Sequence, residues 1–399
     1  MGKWVRLIGA GLLGLLGACR PFGGQLMPGS EASRAMFTPD GGRMLVDARF
    51  SNQVYLYDLV AKKSVWSSRA RPLCGASFSP SGKFAVLLAP TPNDPRALLS
   101  VVRLADGVKG PFSMFFGEFG KNGLDNCYSD ATAEHTAVSD DGKWVVIAYA
   151  GKPTEVYSTA DGRLVYQNQI QKQDMQVKQV RLDPGDRRIA VRWTGAHEPT
   201  VQIVAQVNGQ WRETANLDNV LLDVWTTAGL ALVTRRGIEL WSSGEPRLVV
   251  PLVNDKDSDN AYAVDGYSTP RVYFSPDGAF AAASRIDRFD VYDLKSGAKV
   301  FSHHARAGLG SSGSGLLVGA EFAGRHLRAF LMTGDFVDVD LSIPQIVNTT
   351  SFGSLGHYSK NWFTDGSSWV GNYQPTLGPG GRYVDVYEER EGHQIYPLP

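Results

Sequence analysis

A five-residue turn recurs along the chain at a nearly constant interval, and that interval restricts the fold more than any other feature. Phe37-Thr38-Pro39-Asp40-Gly41, Phe78-Ser79-Pro80-Ser81-Gly82 and Phe274-Ser275-Pro276-Asp277-Gly278 are near copies, and Val138-Ser139-Asp140-Asp141-Gly142 is a looser one. Degenerate versions follow at Leu182-Asp183-Pro184-Gly185-Asp186, Trp225-Thr226-Thr227-Ala228-Gly229, Phe322-Ala323-Gly324-Arg325-His326 and Phe363-Thr364-Asp365-Gly366. Their last residues are separated by 41, 60, 44, 43, 49, 48 and 40 positions. A period in the forties implies stacked copies of one supersecondary unit. It displaces the two or three domains that 399 residues would otherwise invite.

Each copy carries the same local physics. An apolar residue ends one strand, Pro fixes φ at the second turn position, and Asp-Gly tolerates a tight reversal. A second strand follows, as at 84–88, 144–149 and 280–283. A third is expected at 54–59, 99–104, 155–157, 201–204, 238–241, 289–294, 336–341 and 383–387. Several of these alternate apolar and polar residues, as strands solvated on one face do. Polar-Gly turns such as Ala160-Asp161-Gly162 and Lys295-Ser296-Gly297 lead to a fourth strand. No segment shows a helical apolar period of useful length. The expectation is an all-β chain, a single β-propeller of seven or eight four-stranded blades, eight being preferred.

The Phe-Ser-Pro-Asp-Gly turn and the Val291-Tyr292-Asp293-Leu294 segment with its following Gly297 resemble bacterial WD-type propeller repeats over roughly residues 33–398. Asp293–Phe301 is also similar to quinoprotein-type repeats. The outer-membrane barrel-assembly propeller lipoproteins are comparable in size, although the regular Trp-docking motif in every repeat is missing here. The resemblance implies a fold, and it implies an interaction platform only by analogy.

The N-terminus implies a location. Lys3 and Arg6 precede an apolar run from Leu7 to Ala18, which is export-signal chemistry and too short to span a bilayer as a helix. The run ends in Leu16-Gly17-Ala18-Cys19, which resembles the lipobox of bacterial lipoproteins. That resemblance implies a signal peptide over 1–18, lipidation of Cys19, a tether over 19–32 and a propeller over 33–399. Several acyl chains make a stable anchor where one is marginal. Arg20 rather than Asp after the Cys implies the outer membrane, with the protein on its periplasmic face.

The 40 Lys and Arg balance 40 Asp and Glu, and removal of residues 1–18 leaves 38 cations against 40 anions. A chain without excess positive charge is not built to displace counterions from nucleic acid. Cys74 and Cys127 then remain, an even number that allows one disulfide or two buried thiols. The long interval between the second and third turns holds Phe112, Met114, Phe115, Phe116 and Phe119. As an inter-strand connection this is either a partner-binding or membrane-touching loop, or a loop that folds back and buries its own aromatics. Asp255, Asp257 and Asp259 alternate like the start of a calcium loop, but Asn260 replaces the needed Gly and Gly266 the bidentate Glu, so a solvated acidic loop is the preferred reading.

No nucleophile elbow, phosphate loop or dinucleotide fingerprint occurs, and none of the histidines at 135, 197, 303, 304, 326, 357 and 393 has metal-ligand spacing. No cofactor is expected. The function that follows is a membrane-tethered binding or scaffold module for an envelope protein. The alternative is a propeller enzyme, lactonase-like or quinone-dependent, with its site in the central channel. A ligand or glycan sensor, using Trp225, Trp362 or Trp369 at a channel mouth, is the third reading.

Overall fold

The computed structural model describes residues 25–26, 34–48, 52–69, 73, 75–91, 94–116, 135–148, 153–168, 175–195, 198–252, 271–285, 288–304, 317–331, 335–351, 376–388 and 392–398. Strands dominate them, and the one helical element among the described residues is a 3-10 turn, Pro379–Gly381. No helix among the described residues is long and apolar enough to cross a membrane.

Seven complete blades follow one another along the chain, each an antiparallel sheet of four consecutive strands: 34–69, 75–116, 136–167, 175–218, 220–251, 272–304 and 317–351. A reduced eighth sheet closes the series. Its inner strand is Thr376–Leu377, followed by Tyr383–Glu388 and Gly392–Pro397, and its outermost strand is Gln25–Leu26 from the other end of the chain. Gln25 pairs with Ile395 and Leu26 with Gln394, so the first and last strands of the ring share one sheet. The ring therefore begins inside the stretch expected to be tether.

Apolar packing follows the same circuit. Eight core clusters each bridge neighbouring blades, for example Leu45, Leu56, Ala85 and Val102 between the first and second. Phe330, Phe336, Leu377 and Val384 join the seventh blade to the closing sheet, and Ile395 joins that sheet to Met44 and Tyr55 of the first. Blades stacked face to face bury both sides of their middle strands. Hence Gly229–Thr234 and Phe280–Ser284 are buried at every position, like strands covered on both faces.

That stacking corrects one expectation. The alternating third strands are not solvated on one face: Arg288–Asp293 is buried at its four central positions, with Asp290 fully enclosed. Among the described residues, outer strands such as Lys63–Arg69 are the largely exposed ones. A second correction concerns the last blade. Its turn is Leu377-Gly378-Pro379-Gly380-Gly381, in which the Gly381 amide donates to the Gly378 carbonyl at 2.8 Å. Phe363–Gly366 lies outside the described residues, and Tyr383–Glu388 is the second strand of its sheet rather than the third. Gly at both polar turn positions hid this copy, because the Ser-Asp signature was absent.

Candidate functional site

The recurring turn is held by its own side chains. The Ser79 hydroxyl accepts from the amides of Lys83 and Phe84 at 3.1 Å, and Ser275 accepts from Phe280 at 2.8 Å. Asp183 performs the same task with a carboxylate, accepting from the amides of Arg187 and Arg188. Neighbouring turns also bond to one another. Asp140 of the third blade accepts from the Ser81 amide and hydroxyl of the second, each at 2.7 Å. Asp186 of the fourth accepts from the amides of Asp140 and Asp141 at 2.8 and 3.2 Å. Burial pushes the Asp186 carboxyl up, and the adjacent Asp140 and Asp141 charges add to this. This end of the ring, where first strands turn into second and third into fourth, is a rim of short, mutually bonded turns.

Further inside, acids face bases. Asp223, on the innermost strand of the fifth blade, is 3.2 Å from Arg192 Nε and 3.8 Å from Arg181 Nη1 of the fourth. Arg192 also donates to the Leu221 carbonyl. In the sixth blade Arg285 Nε lies 2.6 Å from Asp290 Oδ2, while the Ser302 hydroxyl donates to Asp290 Oδ1 at 2.6 Å. Burial alone would raise the Asp290 carboxyl; the Ser302 hydrogen bond and the charges of Arg285, Lys299 and Arg288 outweigh it and hold it below its ordinary value. Arg285 also donates to the Tyr292 hydroxyl at 2.7 Å. Asp223 and Asp290 each meet a guanidinium, an arrangement that neutralises buried charge.

Glu321 differs. It sits on the innermost strand of the seventh blade, and burial pushes its carboxyl up to about 7 although the Gly380 amide donates to it. A shallow cleft of about 540 Å³ between the fourth and fifth blades is lined by Asp218, Asn219, Thr234, Arg235, Arg236 and Glu239. Some of its charges are engaged: Glu239 accepts from Thr234 at 2.6 Å and from Arg236 at 3.0 Å, and Arg235 pairs with Glu198 at 2.9 Å. Among the described residues no three His, Cys, Asp or Glu side chains form a group that could hold a metal ion.

The aromatic segment expected as a loop is an outer strand. Lys109–Phe116 pairs with Asp94–Arg103 as the fourth strand of the second blade. Phe112 is buried against Val138 and Ile147 of the next blade, with its ring 5.8 Å from that of Tyr157. Met114 packs on the same cluster, Phe115 is 44% exposed, and Phe116 ends the strand. The period-2 alternation of the segment already carried this signal. Cys19, Cys74, Phe119, Cys127, Asp255, Asp257, Asp259, Trp362 and Trp369 lie outside the described residues. Trp225 is buried in the core of the fifth blade, with the Arg188 guanidinium 4.6 Å from its ring centroid. His135 shares a hydrogen bond with the Val177 carbonyl, and His326 lies 3.1 Å from Asp338. Sequence reasoning missed Asp223, Asp290 and Glu321. Their one signal was a charge inside an otherwise apolar strand; Asp290 alone fell in a strand read as solvated on one face.

Topology sorts the remaining segments. In an antiparallel blade the connections from fourth strand to next first strand all lie at the end opposite the turn rim. Described fourth strands accordingly end there at Arg69, Phe116, Pro251 and Ser351, and the following first strands begin there at Gly75, Thr136, Val272 and Thr376.

No protein family matches the chain, and no curated protein is similar to it in sequence. Solved structures do resemble it. The C-terminal WD40 domain of Sif2 aligns over 92% of this chain and 95% of its own, with a TM-score of 0.57 at 9% identity. BamB from Moraxella catarrhalis aligns over 94% and 98%, with a TM-score of 0.52 at 12% identity. The dihydro-heme d1 dehydrogenase NirN covers 92% and 75%, with a TM-score of 0.51 at 16% identity. The class is thereby defined: a β-propeller of four-stranded blades, similar to WD40-type and BamB-type propellers. Because these neighbours include both a WD40 domain and an enzyme, the ring does not select an activity.

Proposed function

We propose that the protein is a lipid-anchored binding module of the bacterial envelope, a scaffold that presents one end of its propeller to a protein partner. The observation that carries this reading is the asymmetry between the two ends of the ring. One end is a rim of short turns bonded to one another, such as Ser81 to Asp140 and Asp140 to Asp186. At the other, the described fourth strands end and the next first strands begin, with 19 residues of sequence between Phe116 and Thr136 and 24 between Ser351 and Thr376. In repeat folds, insertions collected at one face are characteristic of the binding surface. The sequence resembling a lipobox, Leu16-Gly17-Ala18-Cys19, supports anchoring, and Arg20 supports the outer membrane.

The test is photocrosslinking in cells from residues at the connection end, for instance Glu198, which is exposed. One discrete, reproducible protein adduct is expected. Crosslinks to lipid alone, or none, would remove the scaffold reading. Separately, a Cys19→Ala variant is expected in the soluble periplasmic fraction; if it stays with the membrane, the anchor reading fails.

A further inference from the structure

We infer that the turn rim, along the arc formed by the seventh blade, the closing sheet and the first blade, rests on the membrane surface, which turns the connection end away from the bilayer. The inference rests on lipidation of Cys19 as proposed above and adds an orientation to it.

Two independent observations carry it. The first is where the anchor leaves the ring. Gln25 opposes Ile395 and Leu26 opposes Gln394, so the chain runs antiparallel to Gly392–Pro397. Gly392–Pro397, as a third strand, runs toward the turn rim, and the chain upstream of Gln25 therefore departs from that same rim at the outer edge of the closing sheet. Six residue steps separate Cys19 from Gln25, which span at most about 20 Å when fully extended. Acyl chains on Cys19 hold that edge close to the headgroups.

The second observation is the chemistry of the turn tips on either side. Val60, in the third-to-fourth turn of the first blade, is 73% exposed, and Ile343, in the same turn of the seventh, is 58% exposed. These are the blades that flank the closing sheet. The same turn of the second blade, next to the first, carries Val108, 53% exposed, so the apolar tips run from the seventh blade past the closing sheet to the second. The corresponding turns farther round the ring present Asp161, Asn208, Glu245 and Ser296 among the described residues. Beside Val60, Lys62 and Lys63 are exposed. Apolar tips with adjacent cations suit the boundary between headgroups and acyl chains. The exposed apolar tips thus fall where the tether would press the ring against lipid.

The experiment uses the full lipidated protein in vesicles of phosphatidylethanolamine and phosphatidylglycerol, with a fraction of lipid spin-labelled at the headgroup. A fluorophore is attached at Val60→Cys or Ile343→Cys on the turn rim. For comparison it is attached at Gln53→Cys, at the other end of the same first blade, and at Arg235→Cys; labelling at the native cysteines is subtracted using unsubstituted protein. Quenching at the two rim sites is expected to be at least twofold stronger than at Gln53→Cys and Arg235→Cys. Acylated, vesicle-bound protein with equal quenching at all four sites, or stronger quenching at Gln53→Cys, overturns the orientation alone. A mature N-terminal peptide without acyl groups on Cys19 overturns the anchor reading and the orientation with it. Val60→Asp combined with Ile343→Asp should weaken quenching of a fluorophore at a neighbouring rim site, Lys62→Cys, by half or more while acylation is unchanged.

Discussion

Gly41 and Gly162 both adopt left-handed backbone, with φ of +66° and +70°, yet they carry different loads. A Cβ on Gly41 would lie 2.0 Å from the Pro379 carbonyl oxygen, across the seam between the first blade and the closing sheet, whereas a Cβ on Gly162 meets nothing within 4 Å. Gly162→Ala should therefore cost about 1 kcal/mol, the ordinary penalty of that conformation. Gly41→Ala should cost about 2 kcal/mol more, because backbone must move, and urea melts of the two variants make the comparison. Glu321 adds a pH dependence. Its carboxyl is raised by burial from 4.5 to about 7, so the folded state holds the proton more tightly than the unfolded chain. Stability from this group is complete below about 4.5 and is lost as pH rises through about 7. Glu321→Gln should flatten the fall in melting temperature across that window; an unchanged slope would show that the carboxyl does not titrate there. A charge inside an apolar strand is legible in sequence, but whether it is solvated or enclosed depends on the neighbouring blade.

At the level of strands, the aromatic segment Lys109–Phe116 separates core from surface along a single element. Phe112 is 4% exposed and packs across to the third blade, whereas Phe115 is 44% exposed. Phe112→Ala should cost about 3–5 kcal/mol and Phe115→Ser less than about 0.5 kcal/mol, read from chemical denaturation. Similar losses at the two positions would contradict the strand placement. The inner-strand pair is as demanding: Asp223→Ala leaves Arg192 buried against the Leu221 carbonyl without its carboxylate. A loss of about 3–5 kcal/mol is expected, with partial recovery on adding Arg192→Met. Most element positions were readable because Pro, Gly or Asp turns bound the strands, although Lys109–Phe116 was read as a loop. The pairing order of the last sheet was not, since Leu377-Gly378-Pro379-Gly380-Gly381 lacks the polar residues that mark the other turns.

For the molecule as a whole, the seam between the seventh blade and the closing sheet holds the smallest core cluster among the described residues. Phe330, Phe336, Leu377, Val384 and Tyr396 form its cluster with the seventh blade, whereas thirteen buried residues join the sixth and seventh blades. Its outer strand, Gln25–Leu26, is two residues long. Amides of Tyr383–Glu388 should exchange with solvent sooner than those of Phe280–Ser284 when native-state hydrogen exchange is followed by mass spectrometry. Equal protection would mean that the ring opens only as one unit.

Local chemistry was sufficient for the repeat, the strand content and the all-β class, because turn residues and β-branched runs act within a few positions of one another. The propeller itself followed from counting those units. Three things needed tertiary structure: the sharing of the last sheet by both ends of the chain, the burial of Asp290 and Asp223, and the division of the ring into a turn rim and a connection end. Each depends on contacts between residues far apart in sequence, made only when one blade is laid against the next, and no short-range pattern encodes them.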